Sequence, residues 1–227
     1  MANRRKKKRR NRIQTIIKLS IVTLCGVAML CLACHFFGTN FDLRTITTSI
    51  QKTKQVAEPE RIQEFLTPNE YSRPQIPLEK VKGVVIHYTA NPGSDAKGNR
   101  NYFEGLKDSK ITKASSHFIV GLDGTIIQCI PLEEIAYASN ERNADTIAIE
   151  CCHPDETGKF TKETYHSLIQ LTAWLCGRYN LKKDDIIRHY DVTGKDCPRY
   201  YVANEDKWEA LKNEIFEYIE ENAVVTD

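Results

Sequence analysis

From Gly83 to Thr89 the chain is almost unbroken in apolar residues. A two-residue alternation there sets Val85, His87 and Thr89 on one face and Val84, Ile86 and Tyr88 on the other. A strand apolar on both faces belongs inside a sheet covered on both sides. After a polar Asn-Pro-Gly loop, a helix is expected near Arg100 to Leu106. Two strand-like runs follow, Ser116 to Gly121 and Thr125 to Ile130, around Leu122-Asp123-Gly124, and Asp-Gly between such runs predicts a hairpin. Ile147 to Cys151 is a further strand, with Ile147, Ile149 and Cys151 on one side and Ala148, Glu150 and Cys152 on the other. Glu150 therefore stands among small side chains, where a carboxylate has either a cationic partner or chemistry to perform.

Between Thr161 and Tyr179 the period changes to that of a helix. Tyr165, Leu168, Thr172, Leu175, Cys176 and Tyr179 form its apolar face, Thr161 is placed to cap it and Asn180 to stop it. A last helix is expected from Glu205 to Ile219, with Asn204 as cap and Trp208, Leu211, Ile215 and Ile219 as the buried stripe. Strands interleaved with helices, with a hairpin among them, predict an α/β fold in which a mixed central β-sheet is flanked by helices.

The first eighty residues follow a different pattern. Leu19 to Phe37 contains no Asp, Glu, Lys or Arg, and its length of about nineteen residues approaches what a bilayer-crossing helix requires. Eight Lys and Arg residues precede it within positions 1–12, and such residues stay on the cytoplasmic side. The expected organisation is a basic cytoplasmic segment at 1–12, a single N-terminal transmembrane anchor at 13–37 and a stalk at 38–80. A domain at 81–222 and a short tail at 223–227 would then lie outside the cell membrane. A cleaved signal peptide shares the basic start and apolar middle, but no small-x-small cleavage site follows the run. Cys31-Leu32-Ala33-Cys34 faintly resembles a lipoprotein processing site, with Cys where Leu is usual. The stalk is read from Pro59, Pro68, Pro74 and Pro77 and from its Thr, Gln, Glu and Lys content, with a short helix possible only around Arg61 to Leu66.

Charge supports this division. The whole chain carries 32 basic and 30 acidic residues, a net +2, and without the eight N-terminal cations the remainder carries −6. A mildly acidic domain gives no phosphate-neutralising surface, so no nucleic-acid partner is expected. Eight cysteines are present, three of them within the apolar run. The five outside it are an odd number, which accommodates a thiolate metal ligand or a set of free buried thiols.

Five histidines lie downstream of the anchor: His87, His117, His153, His166 and His189. Composition does not separate ligands from packed residues among them. The choice comes from Val84-Val85-Ile86-His87-Tyr88-Thr89-Ala90, Ser116-His117-Phe118-Ile119-Val120, Ile147-Ala148-Ile149-Glu150 and the run Arg188-His189-Tyr190-Asp191-Val192-Thr193-Gly194-Lys195-Asp196-Cys197-Pro198. In this order the four motifs resemble the type 2 N-acetylmuramoyl-L-alanine amidases, over roughly Lys82 to Leu211. Among these the chain is most similar to the amidase domains of phage endolysins and bacillary autolysins, whose final ligand is a Cys followed by Pro.

The resemblance implies a Zn2+ cofactor held by His87, His189 and Cys197, and peptidoglycan as substrate. It also implies that Glu150 and Lys195 are the catalytic acid/base and electrostatic pair. Two imidazoles and a thiolate would leave zinc a net positive charge and an open position for water, whose pKa falls to about 7. His117 and Asn143 are the candidate substrate contacts, each with a structural alternative: a packed strand histidine and a turn-forming asparagine. Where the family often has Ala-Trp-His-Ala, this chain reads Ala136-Tyr137-Ala138-Ser139. The rival reading is a peptidoglycan-binding or sensing module that does not cleave. Members of that kind lack a complete ligand set, whereas all three ligand positions and both catalytic positions are filled here.

Overall fold

The computed structural model describes residues 53–226. In chain order the strands are β1 (Thr53–Gln55), β2 (Ile62–Gln63), β3 (Gly83–Tyr88), β4 (Phe118–Val120), β5 (Ile126–Gln128), β6 (Thr146–Cys151), β7 (Ile186–Arg188) and β8 (Val224–Thr226). The helices are α1 (Ala96–Ser109), α2 (Lys162–Tyr179), α3 (His189–Thr193), α4 (Arg199–Ala203) and α5 (Glu205–Asn222). Six strands form one mixed sheet in the order β2-β5-β4-β6-β3-β7, and β1 pairs with β8 in a separate two-stranded ribbon. Within the main sheet only the β4–β5 hairpin is antiparallel.

The apolar run of β3 is buried at all six positions, between β6 and β7. Its two faces meet different layers. Val84, Ile86 and Tyr88 join Phe118, Ile147 and Ile149 in a core covered by α2 and α5. The opposite face, with Ile119, Ile127 and Cys129, packs against Ala96, Phe103 and Leu106 of α1. At about 25 cal/mol per Å² of apolar surface removed from water, this two-sided burial of the central strands is the main support of the fold.

The helix signals have direct structural counterparts. The Thr161 hydroxyl accepts from the Thr164 amide at 3.0 Å, and Asn180 closes α2 in the left-handed region at φ 53°. The first helix starts earlier than its apolar period indicates, because Asp95 caps it by accepting from the Gly98 amide at 2.6 Å. In the β4–β5 hairpin Gly121 donates to the Thr125 carbonyl, and Gly124 takes φ 82°. Trp208, Leu211, Ile215 and Ile219 form the buried stripe of α5, as the spacing predicts. Asn204 takes the N-cap position of that helix as expected but makes no side-chain capping bond: its side-chain amide donates to the Tyr200 carbonyl at 2.8 Å, tying α5 to α4.

The segment expected to be a stalk is folded over its described part. Leu66 is fully buried, and Val56 and Leu78 are buried as well. No helix forms at Arg61 to Leu66; the chain is extended there, with β2 added parallel to β5. The reason is the free edge of β5: Glu64 and Leu66 donate to the Gln128 and Cys129 carbonyls at 3.0 and 2.8 Å, and sheet pairing overrides local helix preference. Arg73 then clamps the segment by a two-pronged contact with Glu134 and a bond to the Leu66 carbonyl. The basic segment and apolar run at positions 1–37 lie outside the described residues. Among the described residues, no helix is long and apolar enough to cross a membrane.

Candidate metal centre

His87 lies near the C-terminal end of β3, directly across from Glu150 on β6. Paired positions on neighbouring parallel strands point to the same face, so register alone puts the two side chains together on the α1 side of the sheet. The C-terminal ends of parallel strands are where open α/β sheets leave a crevice. His189 enters from the next strand, as the first residue of α3 immediately after β7. Arg188 fixes that corner. Its guanidinium bonds Asp191, the Tyr201 carbonyl and Glu205, and lies 5.3 Å from the Trp208 ring centre.

Cys197 comes from the loop between α3 and α4. Its carbonyl accepts from the Tyr190 amide at 2.9 Å, and its own amide donates to the Lys195 carbonyl at 2.7 Å. The segment is therefore turned between Lys195 and Cys197. Both residues nevertheless border the same cavity. The Cys197–Pro198 peptide is cis.

One donor atom from each of His87, His189 and Cys197 lies within 4.8 Å of the others, and all three residues are buried. Cys197 Sγ is 3.8 Å from His87 Nδ1. Bond lengths of about 2.1 Å to imidazole and 2.3 Å to thiolate, at a tetrahedral angle, separate N and S by about 3.6 Å. The outer nitrogens are occupied: His87 Nε2 meets Ser139 Oγ at 3.1 Å and His189 Nε2 meets Asn140 Oδ1 at 3.2 Å. His189 Nδ1 is buried with no partner in the protein. A sealed, unpartnered imidazole nitrogen facing a second imidazole and a thiol is what a cation site leaves when only protein atoms are counted. The donor set fits a divalent ion.

Titration favours the ligand forms of the histidines. Burial holds the His87 imidazole well below its ordinary pKa, with His189 and Lys195 adding to the effect. Burial and Lys195 likewise lower His189. Both rings are neutral at pH 7 and free to coordinate. Burial pushes the Cys197 thiol up to about 12, with Glu150 adding to the rise, so without a cation it stays protonated and ligation must displace its proton. Glu150 is pushed up to about 8 by burial, opposed by Lys195, and its Oε2 is sealed without a partner.

These groups open onto a cavity of about 430 Å³ that also meets Tyr88, Phe103, Lys113, Tyr137 and Asn143. Glu150, Lys195 and the three candidate ligands are thus brought together. His117 is not. It is 1 % exposed, its Nδ1 accepts from the Ala148 amide at 3.0 Å, and its Nε2 contacts the Glu134 carbonyl at 2.9 Å. Both ring nitrogens serve the backbone, so a substrate contact is ruled out by occupancy. Asn143 borders the cavity, but its Oδ1 is taken by the Ala138 and Ser139 amides at 3.0 and 2.6 Å, which makes it a loop clamp. Sequence reasoning missed Ser139, Asn140 and Lys113. The local sign of the first two is Asn140 itself, a residue type that tolerates the left-handed conformation it adopts at φ 54°.

Residues 77–200 match the family model described as N-acetylmuramoyl-L-alanine amidase. Over 166 residues the chain is 36% identical to a probable N-acetylmuramoyl-L-alanine amidase of Bacillus licheniformis, covering 68% of this chain and 46% of that protein. It is 33% identical to the N-acetylmuramoyl-L-alanine amidase BlyA of Bacillus subtilis (strain 168), over 66% of this chain and 45% of BlyA. The chain thus spans about half the length of the curated relatives it matches. Among solved structures, the catalytic domain of XlyA superposes with a TM-score of 0.59 at 26% identity, covering 69% of this chain and 99% of that one. PlyL, at 24% identity and a TM-score of 0.59, shares the fold. With more than half of its length matched by the family model, the chain belongs to the type 2 N-acetylmuramoyl-L-alanine amidase family.

Proposed function

We propose that this protein hydrolyses the amide between the lactyl group of N-acetylmuramic acid and L-alanine in peptidoglycan, with zinc held by His87, His189 and Cys197. The observation that carries this reading is the convergence of an unpartnered His189 Nδ1, the His87 Nδ1 and a buried thiol beside a carboxylate with one unpartnered oxygen, in a cavity open to solvent. When bound, the ion supplies Lewis acidity toward a water and toward the amide carbonyl. The remaining work falls to side chains. Glu150 accepts a proton from the attacking water as the new C–O bond forms, and delivers it to the nitrogen of L-alanine as the C–N bond breaks, so it ends the cycle as it began. A base must start ionised: burial opposes this by raising the Glu150 carboxyl, Lys195 works against that rise, and a bound cation would add to the effect of Lys195. Lys195 also sets a positive charge where the carbonyl oxygen gains negative charge.

The cavity suits such a substrate in other ways. Lys113 lies within 6.0 Å of the Tyr71 and Tyr137 ring centres, and with Lys195 it gives the cavity a cationic surround that favours a carboxylate-bearing peptide. Purified full chain is expected to carry bound zinc and to generate new L-alanine amino termini from cell wall. A zinc-loaded chain that releases none would overturn the reaction and favour the binding-module reading.

The basic segment at 1–12 and the charge-free run Leu19 to Phe37 support a cell-membrane anchor, with the N-terminus cytoplasmic and the domain outside. Membrane fractionation and protease accessibility of intact cells test this. Recovery of the full-length chain in the soluble fraction would reject it.

A further inference from the structure

We infer that Asn140, together with Ser139, is a positioning residue that fixes the tautomers of both histidines and aims their Nδ1 atoms at the metal. The inference rests on the metal centre proposed above. An asparagine oxygen only accepts hydrogen bonds, so the 3.2 Å contact of His189 Nε2 with Asn140 Oδ1 places the ring proton on Nε2. The same choice leaves Nδ1 bare, and that is the nitrogen found buried without a partner. For His87 the assignment comes from two sides. Cys197 Sγ lies 3.8 Å from Nδ1 on the side of the ligand cluster, and the Ser139 hydroxyl, which can accept, lies 3.1 Å from Nε2 on the other, so a proton on Nε2 leaves Nδ1 free to ligate. Outer hydrogen bonds of this kind set which nitrogen a histidine offers and how the ring is turned.

The two acceptors are consecutive in sequence, and the loop that carries them is built to hold still. Asn140 adopts the left-handed conformation, which lets successive side chains reach two rings that approach each other at 4.7 Å between centres. Asn143 secures the loop from behind by accepting from the Ala138 and Ser139 amides. The tight helical turn Asn140–Ala144 is in turn bound to β6, where the Thr146 hydroxyl donates to the Arg142 carbonyl at 2.6 Å. β6 also carries Glu150, so the imidazole orientations and the catalytic carboxylate share one support.

The test uses full chain, zinc alone as the probe, and the variants Asn140→Ala and Asn140→Asp. Zinc affinity is measured by competition with a chromogenic chelator, and the tautomers by 15N spectra of the histidine rings in metal-free protein. Asn140→Ala is expected to raise the zinc Kd by roughly 10- to 100-fold and to shift His189 from a pure Nε2–H tautomer to a mixture. Asn140→Asp, which keeps the acceptor, is expected to restore both. Ser139→Ala is expected to act in the same way on His87. If Asn140→Ala binds zinc within twofold of the parent, or keeps the pure tautomer, the inference is overturned. Because neither measurement involves substrate, a chain that binds zinc but cleaves no amide overturns the proposed reaction and leaves this inference standing. A parent chain that binds no zinc overturns both.

Discussion

Glu150 and His117 are both titratable groups on this sheet, one half-buried and one buried, and their surroundings give them opposite tasks. One oxygen of Glu150 has no partner and the residue faces the cavity, so its raised pKa marks a group poised to exchange protons. Glu150→Gln preserves its volume and is expected to retain zinc while lowering kcat by about 10²- to 10⁴-fold. Cys197→Ala is expected to lose zinc and activity together. Metal analysis beside an assay of new amino termini separates the two, and full turnover in Glu150→Gln would remove that residue as the base. His117 has both nitrogens bound to backbone, and burial lowers its pKa to about 4. A histidine that stays neutral when folded but gains a proton when unfolded stabilises the protein above its unfolded pKa. That stability is lost as pH falls from about 6.5 to about 4, by roughly 3 kcal/mol in all. Urea unfolding of the metal-free chain across that range is expected to show this slope, and His117→Gln to flatten it. The two roles were not equally legible. Strand alternation placed His87 and Glu150 correctly, but the partners of His117 are backbone groups of Glu134 and Ala148, distant in sequence, and no local pattern encodes them.

At the scale of elements, legibility followed length. β3, β6, α2 and α5 each span enough residues to show a period, and all four lie where the pattern predicts. β7 has three residues, α3 and α4 five each, too few for any period, although they carry His189 and brace it. What holds them is a single buried cation. The Arg188 side chain is 8% exposed and joins Asp191 on α3, the Tyr201 carbonyl on α4 and Glu205 on α5. Removing it leaves Asp191 with only the backbone amide of residue 188 and the buried Tyr201 carbonyl without its guanidinium, so Arg188→Ala is expected to destabilise the domain by about 3 kcal/mol. It is also expected to weaken zinc binding, because the turn that presents His189 loosens. Thr161→Ala provides the contrast: it removes the N-cap of α2, on the opposite layer, and is expected to cost about 1 kcal/mol with no change in zinc affinity. Chemical denaturation and chelator competition on the same two proteins make the comparison. Equal effects on zinc affinity would show that Arg188 acts through global stability alone.

For the molecule as a whole, the decisive feature is how far the folded unit extends toward the N-terminus. Low hydrophobicity and four prolines made 38–80 read as stalk, yet from Thr53 onward the chain is part of the fold. The reason this escaped the sequence is that its contribution is discontinuous. Leu66 beside Phe65, and Leu78 two residues after Ile76, belong to no sustained apolar period, and β2 is only two residues long. Their burial is nonetheless specific: Leu66 caps the α1 side of the core, and β2 covers the open edge of β5. A chain beginning at residue 81 would lose both leucines, at roughly 2 kcal/mol each, together with the Arg73–Glu134 contact. It would also expose the β5 edge to pairing with other chains. Such a truncation is expected to melt well below a chain beginning at residue 53 and to aggregate on concentration. Zinc would not rescue it fully, since saturation at 100 times the Kd adds only about 2.7 kcal/mol. Calorimetry of the two lengths, with zinc and with chelator, gives four melting temperatures. If the length effect vanishes in both conditions, residues 53–80 decorate the domain, and the segment is a tether after all.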